Sequence, residues 1–173
     1  MRLCRDTLIP DYKRLTDIVK SNDRRIIVQL SINKHNRPER SLTSVDINNL
    51  THGDIRDIVS LFAQAAKRAE KAAFDGVQIH LACGWFLNRF VNPHYNHRKD
   101  EYGVAPKNRA RIVFEILDAL KEVTPALHIT AKFSFYDKNN GDTEIADCVE
   151  ICRQLSEKGI GSTRDTRRVQ SKK

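Results

Sequence analysis

The sequence predicts an α/β fold in which amphipathic helices alternate with short strands in one domain. Apolar residues recur at helical spacing in four segments, and three short apolar runs lie between them. Strands that are separated by helices form parallel sheets with right-handed crossovers. At 173 residues and 40% hydrophobic, the chain has the length and composition of one ordinary domain.

The first predicted elements are a short amphipathic helix and a strand. Apolar residues at helical spacing predict the helix from Pro10 to Asn22. The run from Arg24 to Leu30 predicts a strand buried on both faces, as in parallel sheets, with Gln29 at its carboxyl end. The segment from Ser31 to Asn49 is polar and has no period, so it predicts a long loop.

A long helix and a second strand follow. Thr51 stands at an N-cap position with Asp54 three residues on, and the apolar spacing beyond them predicts a helix to about Ala73. The run from Val77 to His80 then predicts a strand. Its polar loop lies where α/β folds place reactive side chains, past the carboxyl end of a strand.

The remaining predicted elements are a helix, a strand and a helix. Pro106 stands at the first position of a helix that ends near Val123. A strand from His128 to Ser134 precedes a last helix from about Asp142 to Lys158, with Gly159 as its C-cap glycine. The residues expected to face inward from this last helix are Ile145, Val149, Cys152 and Leu155.

The loops after the strands favour a barrel over an open sheet. None of them carries the glycine-rich fingerprint of the open nucleotide-binding folds. The longest apolar runs, such as Ile26–Leu30, are far shorter than the roughly 18 residues of a membrane span. The first ten residues carry charges and no apolar segment, unlike a secretory signal, so we expect a cytoplasmic protein with no membrane partner.

Cysteines and charge give two further expectations. The cysteines lack zinc or redox spacing, and Cys148 and Cys152, one helical turn apart, are expected to be buried. The net charge is +8, and about half of this excess lies in the last ten residues. We therefore expect a domain over residues 1–161 and a basic, disordered tail over 162–173. Nucleic-acid binding through this tail is the less favoured interpretation.

The stretch from Phe74 to Arg111 carries an ordered set of motif residues. They are Phe74, Asp75, Gly76, Val77, His80, Asn96, Arg98, Asp100, Tyr102, Gly103, Asn108, Arg109 and Arg111. This set resembles the signature region of the old yellow enzyme family of NADH:flavin oxidoreductases. Segments 27–30 and 131–134 are similar to further strands of that family.

The resemblance implies a partial TIM (β/α)8 barrel that binds FMN at its carboxyl-terminal mouth. It covers about the third to fifth strands. The first two strands would precede Met1, and the last three, with the FMN-phosphate site, would follow Gly161. The final residues resemble no part of the family, so we expect a truncated barrel.

The resemblance also implies roles for five residues in passing hydride from NAD(P)H through FMN to an activated alkene or another small-molecule acceptor. Gln29 matches the glutamine at the pyrimidine edge of the flavin, and Lys132 the cation beside its N1 and C2 oxygen. His80 matches a donor to the carbonyl oxygen of the substrate. Cys83 replaces the second donor and Trp85 the proton-donating tyrosine; a thiol is a weak donor, and indole does not release a proton near neutral pH.

Two alternatives remain open beside this enzyme. A non-catalytic barrel remnant or interaction module would associate through the open edges of a three-stranded sheet. His94 and His97 are three residues apart but have no partner at metal-ligand spacing, so a metal site there is the less favoured interpretation. The residues expected to tie the loop to the barrel by ion pairs are Arg98, Asp100, Arg109 and Arg111.

Overall fold

The computed structural model describes residues 3–32, 46–134 and 145–165, the last four by their backbone alone. Helices separate the strands along these ranges, as predicted, and a short helix at Phe86–Val91 lies in the stretch that was predicted to be a polar loop. The strands are β1 (Ile27–Leu30), β2 (Gly76–Leu81), β3 (His128–Phe133) and β4 (Ser162–Asp165). The helices are α1 (Ile9–Lys20), α2 (His52–Lys71), α3 (Phe86–Val91), α4 (Pro106–Arg109), α5 (Arg111–Val123) and α6 (Ile145–Glu157).

The strands form one parallel sheet in the order β1-β2-β3-β4. The predicted parallel α/β architecture is therefore confirmed, with four strands instead of three. The fourth strand, Ser162–Asp165, falls in the segment assigned to the basic tail. Its four residues have no apolar run and join β3 through backbone pairing, so the sequence carried no strand signal. Residues 166–173 of the predicted tail lie outside the described residues.

The two faces of the sheet differ in chemistry because successive strand residues point to opposite sides. One face is apolar and joins the core beneath α2, which contacts β1, β2 and α5. Its residues are Val28, Leu30, Val77, Ile79, Leu81, Ile129, Ala131 and Phe133. The opposite face, called the inner face below, carries Ile27, Gln29, Gly76, Gln78, His80, His128, Thr130 and Lys132. The fold therefore gathers polar side chains on one side of the sheet.

The prediction that the first strand is buried on both faces is wrong. Burial alternates along β1, with Val28 and Leu30 in the core and Ile27 43% exposed. The reason is that Val28 and Leu30 lie on the face that packs beneath α2, whereas Ile27 and Gln29 on the inner face are exposed. Most of the loop predicted over Ser31–Asn49 lies outside the described residues, which resume at Asp46.

The start of α2 confirms the predicted capping box. The backbone N–H of Asp54 donates to Thr51 Oγ1 at 3.1 Å, and the backbone N–H of Thr51 donates to Asp54 Oδ2 at 3.0 Å. The helix then buries one apolar stripe, which consists of Ile55, Ile58, Phe62, Ala66 and Ala69. It is 20 residues long, and within the described ranges no helix is both long and apolar enough to cross a membrane.

The last two helical regions depart from the prediction in detail. The helix expected from Pro106 is divided at Ala110 into α4 and α5. On α6, Ile145 is 75% and Val149 60% exposed, so their predicted inward orientation is wrong. The side chains that α6 buries are Cys148, Ile151 and Leu155, while Cys152 is half-buried. The predicted and the observed inward-facing residues both have helical spacing, so only contact with the core shows which of them are buried.

The C-terminal end of α6 follows the prediction. Gly159 has a φ of 72°, the left-handed conformation that favours glycine after a helix. The expected start of this helix at Asp142 lies outside the described residues.

Candidate active site at the carboxyl end of the sheet

Three of the predicted site residues lie on the inner face near the carboxyl ends of their strands. His80 and Lys132 are register partners on β2 and β3. Gln29 is the register partner of Gln78, which precedes His80 by two residues on the same face of β2. Gln78 Nε2 in turn donates to Thr130 Oγ1 at 3.3 Å. The topology therefore brings an amide, an imidazole and an ammonium group to one edge of the sheet.

His80 is the most unusual group at this edge. It is 6% exposed, and its Nδ1 is buried without a hydrogen-bond partner. Burial lowers the pKa of His80 to about 4, with a smaller contribution from the positive charge of Lys132. The imidazole is therefore neutral near pH 7 and presents one donor and one acceptor nitrogen. An unpaired buried nitrogen costs stability, so this atom calls for a ligand or water partner.

The loop after β2 carries the other two predicted residues. Cys83 and Gly84 form its turn, both with positive φ. Cys83 is exposed, and Trp85 is 42% exposed. The rings of Trp85 and His80 lie edge to face with their centroids 6.0 Å apart. The structure thus brings Trp85 to the imidazole and leaves Cys83 accessible at the turn.

Asn88 is a residue at this site that the sequence reasoning missed. It lies in α3 among apolar neighbours and is buried. Its Oδ1 accepts from the Gly84 N–H at 2.9 Å, and its Nδ2 donates to the Leu81 carbonyl at 3.1 Å. A polar residue inside the apolar run FLNRFV was the available signal.

The following loop is tied down through Arg98. Its Nε donates to Asp100 Oδ1 at 3.0 Å, and its Nη1 donates to the carbonyls of Ile47 at 2.7 Å and Leu50 at 2.8 Å. Only glycine fits at position 103, because a Cβ there would lie 1.9 Å from the Arg98 carbonyl oxygen. Arg98 and Asp100, which were expected to tie the loop to the barrel by ion pairs, pair with each other within the loop. The hydrogen bonds from Arg98 to the Ile47 and Leu50 carbonyls attach the loop to the segment before α2.

Arg109 and Arg111 continue this attachment. Arg109 is buried, donates to the Val91 carbonyl at 2.9 Å and forms an ion pair with Asp147. Arg111 Nε donates to the Glu101 carbonyl at 2.8 Å. The prediction of structural ion pairs is confirmed for Arg109, whereas Arg111 attaches to the loop through a hydrogen bond to backbone.

One group in the described part of the chain brings three potential metal-ligand atoms together. It consists of His52, Asp100 and Glu101. Asp100 already pairs with the Arg98 guanidinium, which opposes binding of a second cation. His94 and His97 do not belong to this group.

Comparison with known proteins decides the family. The model of the NADH:flavin oxidoreductase / NADH oxidase family matches residues 31–169. The chain belongs to this family. The match includes most of the basic segment, so the expectation that the final residues resemble no part of the family is wrong. Gln29 lies just before the matched range.

Curated relatives and solved structures agree with this assignment. The chain is 49% identical over 111 residues to an NADPH dehydrogenase of Clostridium acetobutylicum, covering 61% of this chain and 33% of that protein. It is 31% identical over 169 residues to an NADPH dehydrogenase of Bacillus subtilis, covering 90% of this chain and 49% of that protein. The chain thus spans a third to a half of these relatives.

Morphinone reductase has the same fold over nearly all of this chain. The TM-score is 0.80 at 23% identity, covering 94% of this chain and 53% of that one. A second morphinone reductase structure, in complex with tetrahydroNAD, gives a TM-score of 0.78 at 23% identity over 93% of this chain and 54% of that one. The predicted partial barrel is confirmed.

Proposed function

We propose that this chain supplies the flavin-facing and acceptor-facing edge of an FMN-dependent oxidoreductase that passes hydride from NAD(P)H to an activated alkene or another acceptor. Family membership and the NADPH dehydrogenase relatives support the reaction class. The observation that carries the proposal is the unpartnered Nδ1 of buried His80, in register with Lys132 at the carboxyl edge of the sheet. Such an edge is where barrel enzymes bind their ligands.

The residues at this edge fit an isoalloxazine ring. Gln29 has an exposed side-chain amide that both donates and accepts, which suits the pyrimidine edge of a flavin. Lys132 is half-buried and has no ion-pair partner among the described residues, so its charge is available to an anionic ring. When bound, FMN supplies hydride chemistry between NAD(P)H and the acceptor.

His80 has the properties of a donor to a carbonyl oxygen. Its neutral imidazole offers an N–H, and its burial strengthens the hydrogen bond because little water competes. Donation to the carbonyl oxygen of an unsaturated acceptor withdraws electron density from the carbon that receives hydride.

Cys83 and Trp85 alter the rest of the acceptor site. The thiol of Cys83 is a weak second donor to the same oxygen. The indole N–H of Trp85 donates a hydrogen bond but does not release a proton near neutral pH, so the proton that completes alkene reduction comes from solvent. The partial exposure of Trp85 is compatible with solvent access to this site.

Co-elution of flavin with the protein tests this proposal. The chain is mixed with excess FMN and passed over a gel-filtration column, and flavin absorbance is measured in the protein peak. We expect wild-type protein to carry FMN and Lys132→Met to bind it about tenfold more weakly, as loss of a charge-assisted hydrogen bond predicts. The control is Lys67→Met, which removes an exposed charge on α2. A protein peak without flavin, or equal loss in both variants, would contradict the proposal.

A second candidate function, self-association, is favoured by a different observation. The sheet ends at β1 and β4, whose outer edges are unpaired within the described residues. Ile145 and Val149 add an exposed apolar stripe on α6. Edge strands and apolar patches of this kind promote association between chains.

Light scattering after gel filtration tests self-association. An oligomer that dissociates when Ile145 and Val149 are both changed to Lys, and not when exposed Val104 is changed to Lys, supports an interface on α6. A wild-type monomer at every concentration measured argues against it.

We also propose that the protein is cytoplasmic. The four cysteines are free thiols, the state that a reducing compartment maintains. Binding of nucleic acid by the basic segment remains the less favoured alternative, because most of that segment falls within the family match.

A further inference from the structure

The turn between β2 and α3 has a backbone conformation that needs support. Cys83 and Gly84 have φ values of 60° and 68°, so two successive residues are left-handed. Glycine adopts this conformation without penalty, but a cysteine does not. Strained residues persist where neighbouring groups hold them in place.

Two side chains of α3 provide this support. Asn88 accepts from the Gly84 N–H at 2.9 Å and donates to the Leu81 carbonyl at 3.1 Å, so its amide joins the turn to the last residue of β2. Arg89 Nε donates to the Gly84 carbonyl at 3.0 Å. Both polar backbone groups of Gly84 are therefore satisfied by the helix that follows.

The chemistry of these bonds restricts the residue at position 88. The Gly84 N–H only donates and the Leu81 carbonyl only accepts, so a single side chain must present an acceptor and a donor. An amide does so, whereas a carboxylate retains the first bond and loses the second. Alanine loses both bonds, that of the half-buried Gly84 N–H and that of the buried Leu81 carbonyl.

The turn determines the position of the Trp85 ring in the site. Trp85 follows Gly84 directly, and its ring meets the His80 ring edge to face at 6.0 Å. We propose that Asn88, assisted by Arg89, is a positioning residue that fixes the turn at Cys83 and Gly84, holds Trp85 beside His80 and so shapes the acceptor side of the site. The identity of the ligand rests on the proposed function, but the positioning itself does not.

Trp85 makes this inference directly measurable because it is the single tryptophan of the chain. Its emission maximum and its quenching by acrylamide report on this loop alone. The test compares wild type with Asn88→Ala and Arg89→Ala, at temperatures where far-ultraviolet circular dichroism shows folded protein. The matched control is Asn96→Ala, because Asn96 lies in the loop after α3, is likewise buried and donates to two carbonyls, of Phe90 and Tyr102.

We expect Asn88→Ala to shift the Trp85 emission to longer wavelength and to increase its quenching. The population of displaced turns rises about fivefold per lost hydrogen bond. Arg89→Ala, which removes one bond to the turn, shifts emission in the same direction by less. Asn96→Ala lowers the melting temperature and leaves native Trp85 emission unchanged.

Three results would overturn the inference. They are unchanged emission in folded Asn88→Ala, unchanged emission in Arg89→Ala if Asn88→Ala does not fold, and an equal change in Asn96→Ala. No flavin is present in these measurements, so a failure of FMN binding contradicts the proposed function without altering this outcome.

Discussion

His80 and Lys132 are register partners on neighbouring parallel strands, and both extend from the inner face of the sheet. The ammonium charge of Lys132 adds to burial in lowering the pKa of the imidazole. One pair thus supplies a fixed cation and a neutral hydrogen-bond donor at the same edge. This relationship has a measurable consequence for stability.

The free energy of unfolding is expected to decrease as the pH is lowered through the range in which His80 titrates. Its folded-state pKa of about 4 lies below the ordinary value of 6.5, so the unfolded chain binds the proton more tightly. The stability that neutral His80 permits is complete above pH 6.5 and is lost as the pH falls towards 4, by up to about 3 kcal/mol. Urea unfolding at several pH values measures this loss. His80→Gln, which cannot titrate, should show a shallower slope across the window, and equal slopes would contradict the assignment.

Removal of the Arg98 side chain is expected to destabilise the fold strongly. Arg98→Met leaves Asp100 and the carbonyls of Ile47 and Leu50 without their buried cation, at a cost of about 3 kcal/mol or more. The free energy of unfolding in urea measures this cost. Arg153→Met is the control, because Arg153 pairs with Glu150 on the exposed surface of α6 and its loss should change stability little. Similar losses in both variants would refute the anchoring role.

Gly103 is expected to tolerate no side chain. A Cβ at this position would lie 1.9 Å from the Arg98 carbonyl oxygen, a backbone atom that cannot move away without displacing the loop. Gly103→Ala should therefore cost more than about 2 kcal/mol. Gly53→Ala is the comparison, because its Cβ would meet Thr51 Oγ1 at 3.5 Å, an ordinary contact, within a helix that favours alanine. Equal melting temperatures for the two variants would show that the loop is not packed as described.

Loss of the capping box is expected to weaken the longest helix. Thr51→Ala removes the acceptor of the Asp54 N–H and should cost about 1 kcal/mol, whereas Thr51→Ser should retain most of the stability. Thermal unfolding of the three proteins measures the difference. If serine and alanine are equally destabilising, the lost contribution is packing of the methyl group and not capping.

The sequence predicted those features that local chemistry determines. The capping box at Thr51, the C-cap at Gly159 and the order of helices and strands follow from spacing and residue type. The common edge for Gln29, His80 and Lys132 followed from parallel strands and the family resemblance together. The two capping signals lie within a few residues of the helix ends that they specify.

Features that depend on contacts distant in sequence were missed. Ile145 and Val149 have helical spacing, as do Cys148 and Leu155, and only packing against the core shows which pair is buried. The polar strand β4 forms by pairing in parallel with the edge of β3 that β2 leaves free. Asn88 stands out only when the carbonyl of Leu81 and the N–H of Gly84 are both seen to face it.

Titration of the chain with FMN while Trp85 emission is recorded tests the central claim most directly, because the single tryptophan lies beside His80 at this edge. If the edge formed by His80 and Lys132 faces the flavin, emission falls along a saturable curve, and Lys132→Met shifts the midpoint to about tenfold higher FMN. If emission falls only as far as that of free tryptophan amide at the same FMN concentrations, the flavin does not bind beside Trp85 and the account is wrong.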